Sequence, residues 1–404
     1  MIQIFSRSIF LLILVFWCTI NSSAQNLKKV FADTEKQTTF MLGQIDQAKE
    51  VWLKDVQNKK KPEVVSPRNL SPDGTLNLVA AKDWTSGFFP GVLWFLYEFT
   101  GKPEWEKQAR RFTENLENEK MNGATHDMGF KIYDSFGAGY RLTNDLKYKE
   151  VILQGARTLS TRFRPVVGCI RSWDHSKDKW SFPVIIDNMM NLELLFEATR
   201  MTGDSSFYKI AVTHANTTMK NHFRPDFSSY HVIGYDTITG KVLQKNTHQG
   251  YSHESAWARG QAWGLYGFTM CYRETKDPKY LQLAENIAGF ILNHPNLPKD
   301  LVPYWDFNAP NIPNEPRDVS AAAVIASGLY ELSTYSKNGK LYRDKANQIV
   351  KNLTSDYRSP VGENHGFLLL HSTGSKPSNS EVDVPIIYAD YYYLEALIRA
   401  RKIR

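Results

Sequence analysis

The chain has 404 residues, 42% of them apolar and 13% aromatic, with a formal net charge of +7 at pH 7. That length and composition bury a large core, so stability does not depend on a disulfide framework. The basic residues are scattered and form no block or stripe, which excludes a nucleic-acid interface in favour of a solvated surface.

Residues 1–24 read as a cleaved secretory signal peptide. Arg7 precedes an apolar run from Ile9 to Trp17, and Asn21-Ser22-Ser23-Ala24 then gives way to Gln25, the order of charge, apolar run and small residues that export requires. The run is too short to span a bilayer and lacks a stop-transfer sequence, so no stable membrane insertion is expected. Cys18 raises a lipoprotein alternative, but Phe16 and Trp17 are too bulky for the small residues that such a cleavage site carries. The expected location is the periplasm, with secretion as the second choice. Beyond the leader only Cys169 and Cys271 remain. No Pro/Ser-rich linker divides residues 25–404, which read as one domain.

A helix near Val30 to Val56 opens the mature chain. A repeat follows, in which an apolar, small-residue segment ends in a short turn and a second helix begins on an aromatic or apolar residue. The turns are Thr100 to Trp105, Thr143 to Tyr148, Thr202 to Phe207, Thr275 to Tyr280 and Ser336 to Tyr342, each with helix-stop and helix-start chemistry. The segments before them, FFPGVLWFLYEF, FKIYDSFGAGYRL, NMMNLELLFEATRM, WARGQAWGLYGFTMCY and VSAAAVIASGLYELSTY, are apolar around most of their circumference, as buried helices are. VPIIYADYYYLEALIRA closes the series. Six inner and six outer helices predict an all-α (α/α)6 barrel, a six-hairpin toroid.

The loops leading into the inner helices are long. They carry Lys82-Asp83-Trp84, Thr125-His126-Asp127, Ile186-Asp187, His248 to Arg259, Pro303 to Asp318 and Gly374 to Asp383. If the alternation holds, all of them converge on one pocket of aromatic and polar groups, which is what sugar recognition requires. Two carboxylates in such a cleft, Asp127 and Asp187, are the minimal equipment for acid/base chemistry on a sugar. Each also stands where a helix N-cap stands, and capping is the plain alternative. A lone Asp there is acidified by the helix dipole, whereas burial and a second carboxylate raise its pKa. Asp83, Asp318 and Asp383 occupy similar junctions and are expected to cap or brace loops. His248 and His253 have no HExxH or Cys pair nearby, so neither a metal nor a cofactor is expected.

Trp84 and Phe88 lie one helical turn apart, and Phe130 follows Asp127 by three residues; aromatics at such spacing serve cores as readily as ligand walls. Arg259 and Trp263 lie four apart on one helix face, where a guanidinium beside an indole suits a charged sugar or a structural stack.

The blocks KDWTSGFFPGVLWFLYEFTG, THDMGF, IIDNMMNLELLF, YSHESAWARGQAWGLYGF, PYWDFNAP, DVSAAAVIASGLYEL and EVDVPIIYADYYYLEAL resemble, in order, the unsaturated glucuronyl hydrolases of glycoside hydrolase family 88 over about Asp83 to Ala396. The resemblance implies an (α/α)6 barrel acting on an anionic oligosaccharide whose non-reducing end is a 4,5-unsaturated uronic acid, supplied by an upstream polysaccharide lyase. It implies hydration of the C4=C5 vinyl ether, with Asp187 as general acid and base and Asp127 as its neighbour. It sets Trp84, Phe88 and Phe130 against the sugar ring and Gln249, Arg259 and Trp263 near the substrate. His126 then contacts the substrate or orients Asp127, and His231 plays a similar part. Trp173 lines the pocket or anchors its loop. Ser375 and Ser378, with Lys376 between them, fall where relatives contact the next sugar or its sulfate. Two alternatives stay open: an unsaturated galacturonyl hydrolase acting on rhamnose-linked units, and a toroid that binds sugar without catalysis.

Overall fold

A computed structural model of the chain describes the backbone of residues 2–403 and the side chains of residues 27–403 apart from Val56. The expected signal peptide, residues 1–24, lies outside the residues whose side chains are described. Among the described residues no helix is long and apolar enough to cross a membrane.

Among the described residues twelve α-helices form the body. The inner ring consists of α2 (Phe88–Thr100), α4 (Ala138–Thr143), α6 (Leu192–Thr202), α8 (Ala258–Thr275), α10 (Val319–Ser333) and α12 (Ile387–Lys402). The outer layer consists of α1 (Ile2–Lys54), α3 (Pro103–Glu114), α5 (Leu146–Ser160), α7 (Ser205–Asn221), α9 (Pro278–Asn293) and α11 (Gly339–Asp356). Because α12 packs on both α10 and α2, the ring closes and the (α/α)6 barrel is complete.

Local chemistry explains the hairpins. The inner helices end on Gly101, Asn144, Gly203 and Lys276, all left-handed with φ of 69°, 55°, 73° and 57°, which turns the chain out of the helix and caps a free carbonyl. The next helices start on Asp145, Asp204 and Asp277, whose carboxylates accept from the backbone N–H two residues on. Small residues on the inner helices let bulky neighbours close the interior. Trp263, Tyr388 and Tyr392 are fully buried at the ring's centre, whereas Trp94, Tyr330 and Tyr393 are buried between the two layers, bonding Thr113 of α3 and Asn347 and Thr354 of α11; each adds a large apolar area to the core.

Two inner segments depart from the uniform α-helices expected. A π-helix spans Gly129–Gly137 ahead of α4, and a 3-10 turn spans Ile186–Asn191 ahead of α6. These irregular first turns follow Asp127 and hold Asp187, a placement common for π segments at functional sites. The loops also pair with one another, giving small antiparallel sheets that periodicity did not reveal. They are β1 (Val64–Leu70) with β2 (Leu76–Ala80), β3 (Phe163–Arg164) with β4 (Cys169–Ile170), β5 (Pro183–Ile185) with β6 (Val232–Tyr235) and β7 (Val242–Asn246), and β8 (Ser372–Ser375) with β9 (Ser380–Val384). Long loops crossing a buried mouth must satisfy their own backbone groups, and pairing does so. Cys169 and Cys271 are buried and free.

Candidate active site

The mouth formed by these loops opens into a cavity of about 710 Å³, within the range of small-ligand pockets. Trp84, His126, Asp127, Phe130, Trp173, Asp187, Gln249, Arg259, Ser375 and Ser378 all line it. The remaining sequence-predicted residues stand behind the wall. Phe88 and Trp263 are completely buried, Phe88 beneath Trp84 and Phe130, and Trp263 between Phe130 and Tyr392. They fix the lining aromatics in place. His231 is buried behind Asp187, which it approaches from the side away from solvent. The Pro303–Asp318 loop supplies no lining residue and braces the site from behind, through Asp318 to Arg259, Asp306 to Tyr251 N and Ser255 Oγ, and the Arg317 carbonyl to Thr373 Oγ1.

Asp127 and Asp187 meet through backbone tethers. Asn191 Oδ1 accepts from Gly129 N at 2.8 Å and Phe130 N at 3.2 Å, tying the π-helix to the 3-10 turn. A methyl group on Gly129 would meet Asn191 Cα at 2.7 Å, so glycine is required for the two segments to approach. Ser172 joins both loops: its carbonyl accepts from His126 N and its hydroxyl from Ile185 N at 2.9 Å. Neither aspartate caps a helix. Thr125 Oγ1 donates to Asp127 Oδ2 at 2.5 Å, and His126 Nε2 lies 3.2 Å from the other oxygen. Burial holds His126 below the usual imidazole range while the Asp127 charge opposes that shift. His126 therefore orients Asp127 as a neutral ring and also faces the cavity.

Asp187 differs from every other junction carboxylate. Its side chain is only 14% exposed, and Oδ2 has no hydrogen-bond partner. Burial pushes its pKa up to about 7; Arg259, its own backbone N–H and the Trp263 indole oppose the shift, and the Asp127 charge adds to it. Desolvation wins over the acidifying helix end because the carboxylate has lost its water and gained few donors. His231 Nδ1 accepts from His248 N at 3.2 Å and Gln249 N at 3.1 Å. With burial holding that imidazole neutral, its proton must sit on Nε2, 3.7 Å from Asp187 Oδ2. By contrast, Asp318 caps α10 through Ser320 N and Ala321 N, Asp83 accepts from Thr85 N, and Asp383 pairs with His371.

The Arg259 guanidinium is committed. It donates to Asp318 Oδ2, Thr373 O and Gly374 O, each at 2.6 Å, and lies over the rings of Trp257 and Tyr388 instead of Trp263. Gln249 Nε2 donates to Gly374 O at 3.0 Å. Both residues pin the β8–β9 hairpin to the barrel while presenting their flanks to the cavity. Within that hairpin Ser375 Oγ donates to Ser378 Oγ at 3.1 Å, and Lys376 does not line the cavity. Trp173 stacks on His175 with ring centroids 5.0 Å apart, and its Nε1 is buried without a partner.

Sequence reasoning passed over Arg68 and Tyr388, which line the cavity, and Asn191, which joins its two halves. Arg68 lies on a strand outside the helical repeat and carries no local signal. Tyr388 opens the last inner helix much as Phe88 opens the first, a parallel that the repeat itself contains. Among the described residues no group of three or more His, Cys, Asp or Glu side chains is arranged to hold a metal ion.

The profile of Glycosyl Hydrolase Family 88 matches residues 45–393. An unsaturated glucuronyl hydrolase of Formosa agariphila is 54% identical over 83% of this chain and 85% of its own length. An unsaturated chondroitin disaccharide hydrolase of Streptococcus agalactiae is 36% identical over 79% of this chain and 82% of its own. The crystal structure of an unsaturated glucuronyl hydrolase specific for heparin superposes with a TM-score of 0.85 at 49% identity, covering 93% of this chain and 97% of that one.

Proposed function

We infer the chemistry from one premise: this chain belongs to Glycosyl Hydrolase Family 88, whose profile spans residues 45–393. It is a glycosidase that releases the 4,5-unsaturated uronic acid from the non-reducing end of lyase-generated oligosaccharides, with glycosaminoglycan disaccharides as its substrate class. The relatives named above give no support to the galacturonyl alternative.

The observation that carries the mechanism is the Asp187 carboxyl, buried at the cavity wall, lacking a partner on Oδ2 and protonated up to about pH 7. A carboxylic acid so placed delivers its proton to C4 of the vinyl ether, and the ring oxygen shares the positive charge that develops at C5. Water then adds at C5 and gives its proton to the Asp187 carboxylate, restoring the acid. The product is a hemiketal. It opens to a C5 ketone, and the hemiacetal left at C1 expels the second sugar. One residue thus serves as acid and then as base, and the usual relation between carboxylate separation and inversion or retention has no bearing because C1 is never attacked.

Asp127 supplies negative charge that favours the protonated form of Asp187 and the developing positive charge, held in place by Thr125 and His126. His231 Nε2–H meets the Asp187 carboxylate once the proton has left, stabilising the state between the two steps. Trp84, Phe130 and Trp173 face the sugar rings. An upstream polysaccharide lyase is required, since only elimination creates the double bond. The leader-like residues 1–24 support a periplasmic site of action.

The test is the ultraviolet band of the vinyl ether. Mixing purified protein with lyase-generated disaccharides should abolish it, and reaction in heavy-oxygen water should place label on the C5 carbonyl. A band that persists for every unsaturated uronide, or label confined to the released sugar's anomeric oxygen, would reject the mechanism.

A further inference from the structure

We propose that Trp257, which stands outside the cavity, is a positioning residue for the acid/base step: its indole holds His231 against Asp187 and keeps water from the inner side of that carboxylate. The proposal rests on the hydration mechanism above and adds a residue on which that mechanism depends.

Trp257 is buried and is not among the lining residues. It is the N-cap residue of α8, with φ −59° and ψ 122°, and its carbonyl accepts from Gln261 N at 3.1 Å. From there the ring lies along the first turn of its own helix. A methyl group on Gly260 would meet Trp257 Cε3 at 2.8 Å and Ile186 Cγ2 at 3.4 Å, so the glycine three residues on leaves room for the indole beside Ile186, the residue that precedes Asp187. Flat groups then follow one another. The His231 imidazole lies 4.4 Å from the Trp257 ring between centroids, the two planes 30° apart. The Arg259 guanidinium is 4.7 Å from the Trp257 ring and 5.3 Å from that of Tyr388, and Tyr388 is 5.0 Å from Trp84 in the cavity wall. One column of contacts therefore runs from the imidazole beside the acid to the aromatic wall that faces the sugar, with Trp257 as its second member.

Hydrogen bonds fix only one edge of His231. Its Nδ1 accepts from His248 N and Gln249 N, and a ring held at one edge can still pivot about it. The indole face stops that pivot and keeps Nε2 turned to Asp187 Oδ2, 3.7 Å away. An imidazole that swung aside would leave the new carboxylate without its donor and would admit water beside it. The charged and titratable groups around the pair are otherwise in place. His248, Arg259, His222 and His126 act on His231, and Arg259 and Asp127 act on Asp187, with the Trp263 indole as a further donor. Arg259 is anchored by Asp318 Oδ2, Thr373 O and Gly374 O independently of Trp257. Truncating the indole therefore changes the access of water more than the arrangement of charge, and a rehydrated carboxyl ionises at lower pH.

The experiment follows kcat and KM against pH for the wild-type protein, Trp257→Leu and Trp257→Phe on one unsaturated disaccharide. In Trp257→Leu the alkaline fall of kcat/KM should begin about one pH unit lower than in wild type. At the pH optimum kcat should drop roughly tenfold to a hundredfold, the usual cost of a misplaced catalytic group, with KM little changed because the indole touches no part of the cavity. Trp257→Phe keeps a ring against both neighbours and should fall between the two. If the Leu variant does not fold, the Phe variant decides the matter, and its alkaline fall must begin below that of wild type. A fall that stays at the wild-type pH in the folded variants, with rate lost equally at every pH, makes Trp257 a packing residue and overturns the proposal while leaving the mechanism intact. A raised KM with kcat unchanged does the same. A wild-type protein that leaves the vinyl ether unconsumed overturns both.

Discussion

Replacing Asp187 by Asn should separate catalysis from stability in opposite directions. The variant keeps the shape of the side chain and loses its proton, so kcat should fall by roughly 10²- to 10⁴-fold, the usual worth of general acid/base catalysis, with substrate still bound. The stability effect follows from burial, which raises the carboxyl from 3.8 to about 7. Below pH 3.8 the group is protonated in the folded and the unfolded chain alike, and it favours neither. Between 3.8 and 7 the unfolded chain releases the proton that the folded chain retains, so the folded state loses ground as pH rises. Above 7 the loss is complete. At about 1.4 kcal/mol per pKa unit the ceiling is about 4 kcal/mol. Asn carries no such penalty. The stability of Asp187→Asn relative to wild type, taken from denaturant midpoints with slopes compared, should therefore rise by up to about 4 kcal/mol between pH 4 and pH 8. A difference that stays constant across that range would mean Asp187 is not desolvated, and the reasoning that makes it a proton donor would fail with it.

The rate should show the same group. kcat/KM should be level below neutrality and fall about tenfold per unit above pH 7, and a profile that climbs there would contradict a protonated Asp187 as the active form. Asn191→Ala leaves Gly129 N and Phe130 N buried without acceptors; it should cost about 2–4 kcal/mol of stability and lower kcat more than it raises KM, because it loosens Asp127 against Asp187. Thermal denaturation with steady-state kinetics checks both parts. Arg259→Ala strands the Asp318 carboxylate and frees two carbonyls of the β8–β9 hairpin, so a loss of about 3–5 kcal/mol in chemical denaturation is expected, with KM raised as the hairpin detaches. A variant as stable as wild type would show that the clamp carries no net stability.

Several features of this protein were legible one residue at a time. The Thr–Gly and Asp–Pro turns announced where helices stop and start because a left-handed C-cap and an Asp N-cap act on backbone groups two to four residues away. The apolar circumference of segments such as VSAAAVIASGLYELSTY announced an inner ring, and six hairpins closing on themselves followed from the count. Asp127 and Asp187 were placed at the mouth by the same alternation. Other decisions belonged to the closed ring. Phe88, Trp263 and His231 sit behind the cavity wall, and not in it, because rotation about the helix axis and packing against neighbours settle which face reaches solvent. Arg259 found Asp318 and the hairpin carbonyls 59 to 115 residues away, and Arg68 found Glu381 313 residues away. The proton on Asp187 was decided last and furthest from local sequence. Its helix position alone would have acidified it; the loss of water inside a barrel built from six distant segments reversed the sign. Short-range backbone chemistry is written in neighbouring residues, whereas desolvation and counter-ion choice exist only once the ring has closed.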